Sequence, residues 1–379
     1  MDFVVACDSF KGCMSAQQAC KAVEKGILQS HLPHQVHLFP MADGGEGTAE
    51  IINYYSNGHR VDVQATDAFL NPLYAYYYRT NSNIAIIDVT SCIGIESPQN
   101  HIKSVFEGSS YGIGLLIKHA IEHGCYTIVI GLGGSCTNDG GMGILQALGV
   151  DFFDFQGNRL LPILSSLPKI HSIKNNMPSY NDIDLIIACD VKNRLLGKQG
   201  ATYTYGKQKG ILESQFSEVD SWMTHYRDQL QNVFHIDINE YDGGGAAGGI
   251  GAILLGILNG RYIPGIDLIT QLSHIEDAIQ TCDIVITGEG ATDEQTLYGK
   301  TPFGIAQIAK KYNKPVICLS GALNNNYEVL YNYGFSGIFS IISTTTTLQE
   351  ALQQGLSNLQ KASFSITKLL EATTHNSHI

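Results

Sequence analysis

Phe3-Val4-Val5-Ala6-Cys7-Asp8-Ser9-Phe10-Lys11-Gly12-Cys13-Met14-Ser15 is the stretch on which the reading of this chain turns. It opens with an apolar run that does not alternate, the pattern of a strand buried on both faces. The polar turn from Asp8 to Gly12 ends that strand. Ser15 with Gln18 then makes a capping box ahead of Ala19, Val23 and Ile27 at helical spacing. A strand feeding a helix through an acidic, Gly-containing turn is the repeating unit of a parallel sheet covered by helices.

The same grammar continues with a strand at 35–39, the turn Asp43-Gly44-Gly45-Glu46-Gly47-Thr48 and a helix through Ile51-Ile52. It returns far downstream: a strand at 283–287, the turn Gly288-Glu289-Gly290 and a helix at 302–311. Strands at 316–319 and 337–342 follow, running into Ser320-Gly321 and Ser343-Thr344. These strands read as one doubly wound parallel α/β sheet assembled from residues 1–62 and 283–379. Residues 63–282 then form a second α/β domain inserted into it, with strands at 73–78, 84–89, 127–130 and 184–189. The alternation of Tyr74, Tyr76 and Tyr78 marks an antiparallel or edge strand, so the inserted sheet is expected to be mixed. A length of 379 residues agrees with two domains and an active site in the cleft between them.

Composition narrows the function classes. The net charge of −12, without a dense basic run, argues against a nucleic-acid partner. With 44% apolar and 15% charged residues, the chain is expected to fold compactly. Nine cysteines are dispersed with no CxxC spacing, which points to reduced structural thiols and a cytoplasmic location. Met1-Asp2-Phe3-Val4 has no basic leader character, and the longest apolar stretch, 246–258, is too short and Gly-rich to span a bilayer, so no membrane partner is expected.

Ligands of open parallel sheets bind beyond the carboxyl ends of the strands, where helix N-termini present N–H groups. Here those ends carry Asp8, Ser9 and Lys11; then Asp43, Gly44, Gly45, Glu46 and Thr48; then Glu289, Asp293 and Lys300. Any one of them reads equally well as a cap or turn residue. Together, acids and lysines on one rim exceed what capping requires. The inserted domain adds the loop 131–141, with Gly133, Gly134, Ser135, Thr137, Asn138 and Asp139 between a strand and a helix. Its backbone N–H groups and hydroxyls suit phosphate oxygens, and Asp139 suits either Mg2+ or a helix cap. The loop is not a Walker A sequence, since no Gly-Lys-Ser/Thr follows at the required spacing. Asp190 emerges at another strand end, where a base must stand. Phosphoryl transfer to an alcohol asks for this inventory of carboxylate, cations and Gly-rich turns, and no Ser/His/Asp arrangement competes with it. Two other classes stay open: a dehydrogenase using Gly243, Gly245 and Gly248 as a dinucleotide fingerprint, and a two-lobed small-molecule binding protein.

The segments Ala6 to Lys11, Ala42 to Thr48, 131–141, Ala188 to Val191 and Thr287 to Gly290 together resemble the bacterial glycerate kinase type-1 family. The resemblance runs nearly end to end and takes in 206–210, 243–249, and Asp293 with Gln295-Thr296 before Gly299-Lys300. It implies ATP-dependent, Mg2+-assisted phosphorylation of D-glycerate to 2-phosphoglycerate on a two-domain fold with a flavodoxin-like lobe. ATP and glycerate are then the expected partners, and assembly into a homo-oligomer is compatible with the sequence. The matched positions are Asp8, Ser9, Lys11, Asp43, Glu46, Ser135, Thr137, Asn138, Asp139, Asp190, Asn193, Glu289, Asp293 and Lys300. On this basis Asp190 is assigned as the base, Lys11 and Lys300 as phosphate-facing cations, and Asp43, Glu46 or Asp293 as Mg2+ support. Ala291 and Tyr203 stand where the family usually has Arg, and Arg194 where it commonly has Pro.

Overall fold

The computed structural model describes residues 1–45, 47–96 and 104–375. In chain order its strands are β1 (Asp2–Cys7), β2 (Gln35–Leu38), β3 (His59–Thr66), β4 (Pro72–Arg79), β5 (Ile84–Asp88), β6 (Thr127–Gly131), β7 (Val150–Phe153), β8 (Ser172–Asn175), β9 (Asp184–Ala188), β10 (Arg261–Ile263), β11 (Ile284–Thr292), β12 (Val316–Leu323) and β13 (Phe335–Ser340). The chain divides into two compact units. One is Met1–Asp43 with Pro264–Ile379, the other Gly44–Ile263.

The first unit holds a five-stranded sheet ordered β13-β12-β11-β1-β2, parallel at every pairing. Phe3 to Cys7 are wholly buried, as their unbroken apolar run requires. The capping box forms: Ser15 N donates to Gln18 Oε1 at 3.0 Å and Gln18 N to Ser15 Oγ at 3.3 Å. It starts helix Ala16–Leu28, which buries Ala19, Val23 and Ile27 over β1 in a core with Ile286, Leu319 and Leu359.

Gly288-Glu289-Gly290 is not the turn its composition suggests. β11 runs through it to Thr292, and β12 runs past Ser320-Gly321 to Leu323, paired as Ala291 with Ala322 and Thr292 with Leu323. The glycines serve close approach. A Cβ on Gly288 would lie 2.4 Å from Leu319 O, and one on Gly321 2.5 Å from Gly290 O. Register aligns Cys7 with Gly288 and Glu289 with Ser320, so Asp8, which follows β1 and donates its N–H to Gly288 O at 2.9 Å, comes beside Glu289 of β11.

The second unit holds a six-stranded sheet ordered β10-β9-β6-β5-β4-β3. β10, β9, β6 and β5 are parallel, while β4 and β3 are antiparallel, which makes the sheet mixed as the tyrosine alternation requires. Tyr77 is buried on the inner face and Tyr74 exposed on the outer. A separate hairpin, β7 with β8, shares a second core with helix Phe216–Phe234 through Phe152, Met223 and Tyr226. Asp88, Gly131 and Ala188 lie side by side at the ends of β5, β6 and β9, so the segments that follow start from one edge.

The Gly243, Gly245, Gly248 pattern lacks the strand a dinucleotide fingerprint needs, since it follows a short 3-10 turn, Ile238–Glu240. Residues 246–252 do not form one continuous helix. Ala247, Gly248 and Gly249 take φ of 51°, 69° and 96°. The physical reason is the loop at 131–141, which presses on this point: Gly140 N donates to Gly248 O at 2.9 Å, and a Cβ on Gly248 would lie 2.1 Å from Thr137 O.

Candidate active site

In the first unit, Asp8 leaves β1 and is held at both carboxylate oxygens. Ser9 N donates to Oδ1 and the Thr301 hydroxyl to Oδ2, each at 2.6 Å. Burial and the neighbouring Asp43 charge push the Asp8 carboxyl up to about 8, against the Thr301 and Ser9 bonds, and Glu289 adds to the rise. Glu289 is buried too. It accepts from the hydroxyls of Thr296 (2.7 Å) and Thr292 (3.0 Å), and Lys300 Nζ stands 3.3 Å from its other oxygen. Burial raises the Glu289 carboxyl, opposed chiefly by Lys300. Asp8 and Glu289 thus stand together at this edge with the Asp43 charge close by, and Lys300 pairs with Glu289.

The other sequence-assigned groups of this unit fall around that edge. Lys11 is exposed at the tip of a tight turn closed by Phe10 N to Met14 O at 2.9 Å. Asp293 caps the 3-10 turn Glu294–Tyr298 by accepting from Gln295 N at 2.9 Å, and Thr296 completes the box. Gln295 itself faces solvent. Lys300 is already engaged by Glu289 and Ala291 O rather than standing open. Thr301, buried against Asp8, escaped sequence reading because a Thr at the start of a helix reads as a helix residue.

A cation fits this acid set, since Asp8 and Glu289 are held at raised values beside Asp43. Among the described residues no group of three or more His, Cys, Asp or Glu stands at metal-ligand spacing. Mg2+ needs only one or two protein carboxylates when nucleotide phosphates and waters complete its shell. Glu46, the other acid assigned to metal support, lies outside the described residues.

In the second unit three strand-end segments converge. Gly44, with φ of 103°, lies against the backbone of Cys189, where an added Cβ would come within 3.0 Å. Asp88 accepts from Gly47 N at 3.2 Å, anchoring the start of helix Thr48–Ser56, and Thr48 donates to Gly45 O at 2.8 Å. The loop at 131–141 divides in function. Its second half is pinned by Asp139, whose buried carboxylate accepts from Ser110 N and Oγ at 2.8 Å and from Gly143 N at 3.1 Å. Asp139 is therefore an anchor of the loop and helix, not an open metal ligand. Thr137 Oγ1 and Asn138 Oδ1 are buried with no hydrogen-bond partner among the described residues.

The loop's first half, Gly133, Gly134 and Ser135, lines a cavity of about 100 Å3 together with Asp190, Tyr205 and Lys209. Asn193 stands behind it, its side chain bound to Gln199 O at 2.7 Å and Tyr205 OH at 2.9 Å, so it supports the wall. Lys209 was not singled out from sequence. Its Nζ donates to Thr137 O at 2.7 Å and Ser135 Oγ at 3.0 Å, and burial lowers it to about 8. The available signal was a lysine inside the Gly206 to Gly210 turn. Arg194 points away into an exposed pair with Asp242, and Tyr203 packs edge-on against Phe216.

A sequence model described as the Glycerate kinase family matches residues 3–371. The chain belongs to that family. Membership makes it a kinase, a phosphotransferase. It is 37% identical over 370 residues to a glycerate kinase of Halalkalibacterium halodurans, covering 96% of each chain. It is 35% identical to a glycerate 2-kinase of Escherichia coli, covering 99% of this chain and 100% of that one. A crystal structure of a putative glycerate kinase 2 from Salmonella typhimurium superposes with a TM-score of 0.83 at 35% identity, covering 99% of both chains. The family excludes the dehydrogenase reading, in line with the missing strand before Gly243. Among the described residues no helix is long and apolar enough to cross a membrane.

Proposed function

We propose that this chain transfers the γ-phosphoryl group of ATP to the 2-hydroxyl of D-glycerate, giving 2-phosphoglycerate with Mg2+ assistance. The observation that carries the proposal is the cavity beside the Gly133 to Ser135 backbone, lined by Asp190 two residues past the end of β9 and by Lys209. A relative named glycerate 2-kinase supports the choice of hydroxyl.

On this reading each unit contributes its own chemistry. Asp190 orients the acceptor hydroxyl and takes its proton as the new P–O bond forms, while ADP leaves. The neutral backbone of Gly133 and Gly134 allows close approach without a side chain in the way. In the first unit one or two of Asp8, Asp43 and Glu289 would hold Mg2+ together with nucleotide phosphates, with Lys11 at hand for phosphate oxygens. Bound Mg2+ would neutralise the charge that develops on the transferring phosphoryl group. Thr301 and Ser9 keep the Asp8 carboxylate fixed, and Lys300 does the same for Glu289.

Coupled measurement of ADP release with D-glycerate and related hydroxy-acids, with and without Mg2+, tests this, and phosphorus NMR of the product reads the position of transfer. Glycerate-dependent ADP and a 2-phosphate are expected. Absence of glycerate-dependent ADP overturns the reading.

A further inference from the structure

Lys209 stands out among the ionisable groups of the second unit. Its ammonium is half-buried yet touches only neutral oxygens, Thr137 O and Ser135 Oγ. Among the described residues it forms no ion pair with any carboxylate, whereas Arg194 pairs with Asp242 and Lys207 with Glu213. A cation withdrawn from water without a counter-ion is costly unless an anion arrives to pair with it. An ammonium has three donors, and two are taken.

The place of the missing anion is set by the cavity. Among the described residues, Lys209 is the only Lys or Arg on its wall, and Asp190 is the only Asp or Glu. An acceptor that is a hydroxy-acid brings one anionic group that Asp190 repels and one hydroxyl that Asp190 can accept. We infer that Lys209 binds the carboxylate of the acceptor and so selects hydroxy-acids over neutral polyols. The two charges then orient the substrate end to end, carboxylate toward Lys209 and hydroxyl toward Asp190. Ser135 and Thr137 hold the ammonium in place, which explains why the loop's first half lines the cavity while its second half is tied down by Asp139. Burial that lowers Lys209 to about 8 fits an ammonium kept poor in solvent until the anion enters.

This inference rests on the proposed glycerate phosphorylation and adds a residue to it. The test compares D-glycerate, through its KM, with glyceramide, the neutral amide of the same shape, through its competitive inhibition constant. Lys209→Gln keeps N–H donors for the neighbouring oxygens and removes the charge. It is expected to raise the KM for glycerate roughly 10- to 100-fold, to leave the glyceramide constant within about twofold, and to affect kcat less than KM. Lys209→Arg, which keeps the charge, is expected to recover part of the preference for the acid. Equal loss of both ligands in Lys209→Gln, or loss confined to kcat, overturns the inference and marks Lys209 as a structural or phosphoryl-facing group. Should the variants fail to fold, the wild-type enzyme decides. Its KM for glycerate should rise as pH passes about 8 while the glyceramide constant stays flat, and parallel pH profiles refute the assignment. If wild type phosphorylates some other hydroxy-acid instead of glycerate, the proposed substrate falls while the same comparison, run with that acid and its amide, still judges Lys209.

Discussion

Replacing Asp8 with Asn should make this enzyme more stable and less active. Burial and the Asp43 charge lift the Asp8 carboxyl from 3.8 to about 8. The unfolded chain therefore releases the Asp8 proton near pH 4, while the folded unit keeps it until about pH 8. Unfolding loses a proton throughout that window, so the contribution of Asp8 to stability falls as pH rises through it and is lowest above pH 8. At about 1.4 kcal/mol per decade, the full displacement caps the penalty at about 6 kcal/mol. Asn retains an oxygen for Ser9 N and an amide toward the Thr301 hydroxyl, so the packing is preserved while the charge is gone. For a unit of this size about 2–4 °C of melting temperature corresponds to 1 kcal/mol. Calorimetric melting of Asp8→Asn and wild type in Mg2+-free buffer should coincide near pH 4 and separate by several degrees at pH 9, with the variant higher. Added Mg2+ should raise the wild type at pH 9 more than the variant, because the cation relieves the acid cluster. Melting curves that stay parallel from pH 4 to pH 9 would refute the reasoning.

Asp190→Asn should lower kcat by about 100-fold or more with little change in the KM for glycerate, read by ADP release, as expected for loss of a general base. Near-normal turnover removes Asp190 from that role. Gly248→Ala combines a φ of 69° with a Cβ 2.1 Å from Thr137 O, so urea unfolding should show a loss of about 2–5 kcal/mol; a loss below about 1 kcal/mol would mean the loop at 131–141 yields easily. Asp139→Ala strands the Ser110 and Gly143 donors in the core and should destabilise by about 3 kcal/mol or more, while Asp139→Asn, able to keep part of the set, should cost less.

What was legible in the sequence was local. The apolar run Phe3 to Cys7 and the Ser15–Gln18 box depend on neighbours along the chain, and both form as read. The tyrosine alternation gave the antiparallel strand because side-chain period survives whatever the strand pairs with. Where function depends on distant partners, the reading thinned. Gly288 and Gly321 look like turn residues, and only the β11–β12 pairing shows that they let two strands approach. Asp139 was open between metal ligand and cap until Ser110, 29 residues away, took its carboxylate. Lys209 meets Ser135 across 74 positions, a separation that no periodicity records.

The two perturbed groups make a joint argument about the ligands. In one unit Asp8 is an acid raised to about 8 by burial and a like charge; in the other Lys209 is a base lowered to about 8 by burial without a counter-ion. Neither arrangement favours the empty fold, and each is relieved by a charge of the opposite sign: a cation among Asp8, Asp43 and Glu289, an anion at Lys209. A protein under selection for stability alone would replace both with neutral residues at little packing cost. Keeping crowded buried acids in one unit and an ammonium without an ion pair in the other follows if the substrates supply the compensating charges, a Mg2+-bearing nucleotide for the first and a carboxylate-bearing acceptor for the second. The Asp8 and Lys209 variants test the halves separately. Asp8→Asn should alter the Mg2+ dependence and leave the preference for acid over amide intact, and Lys209→Gln should do the reverse. Variants that shift both properties together would show that the two charge deficits are not independent.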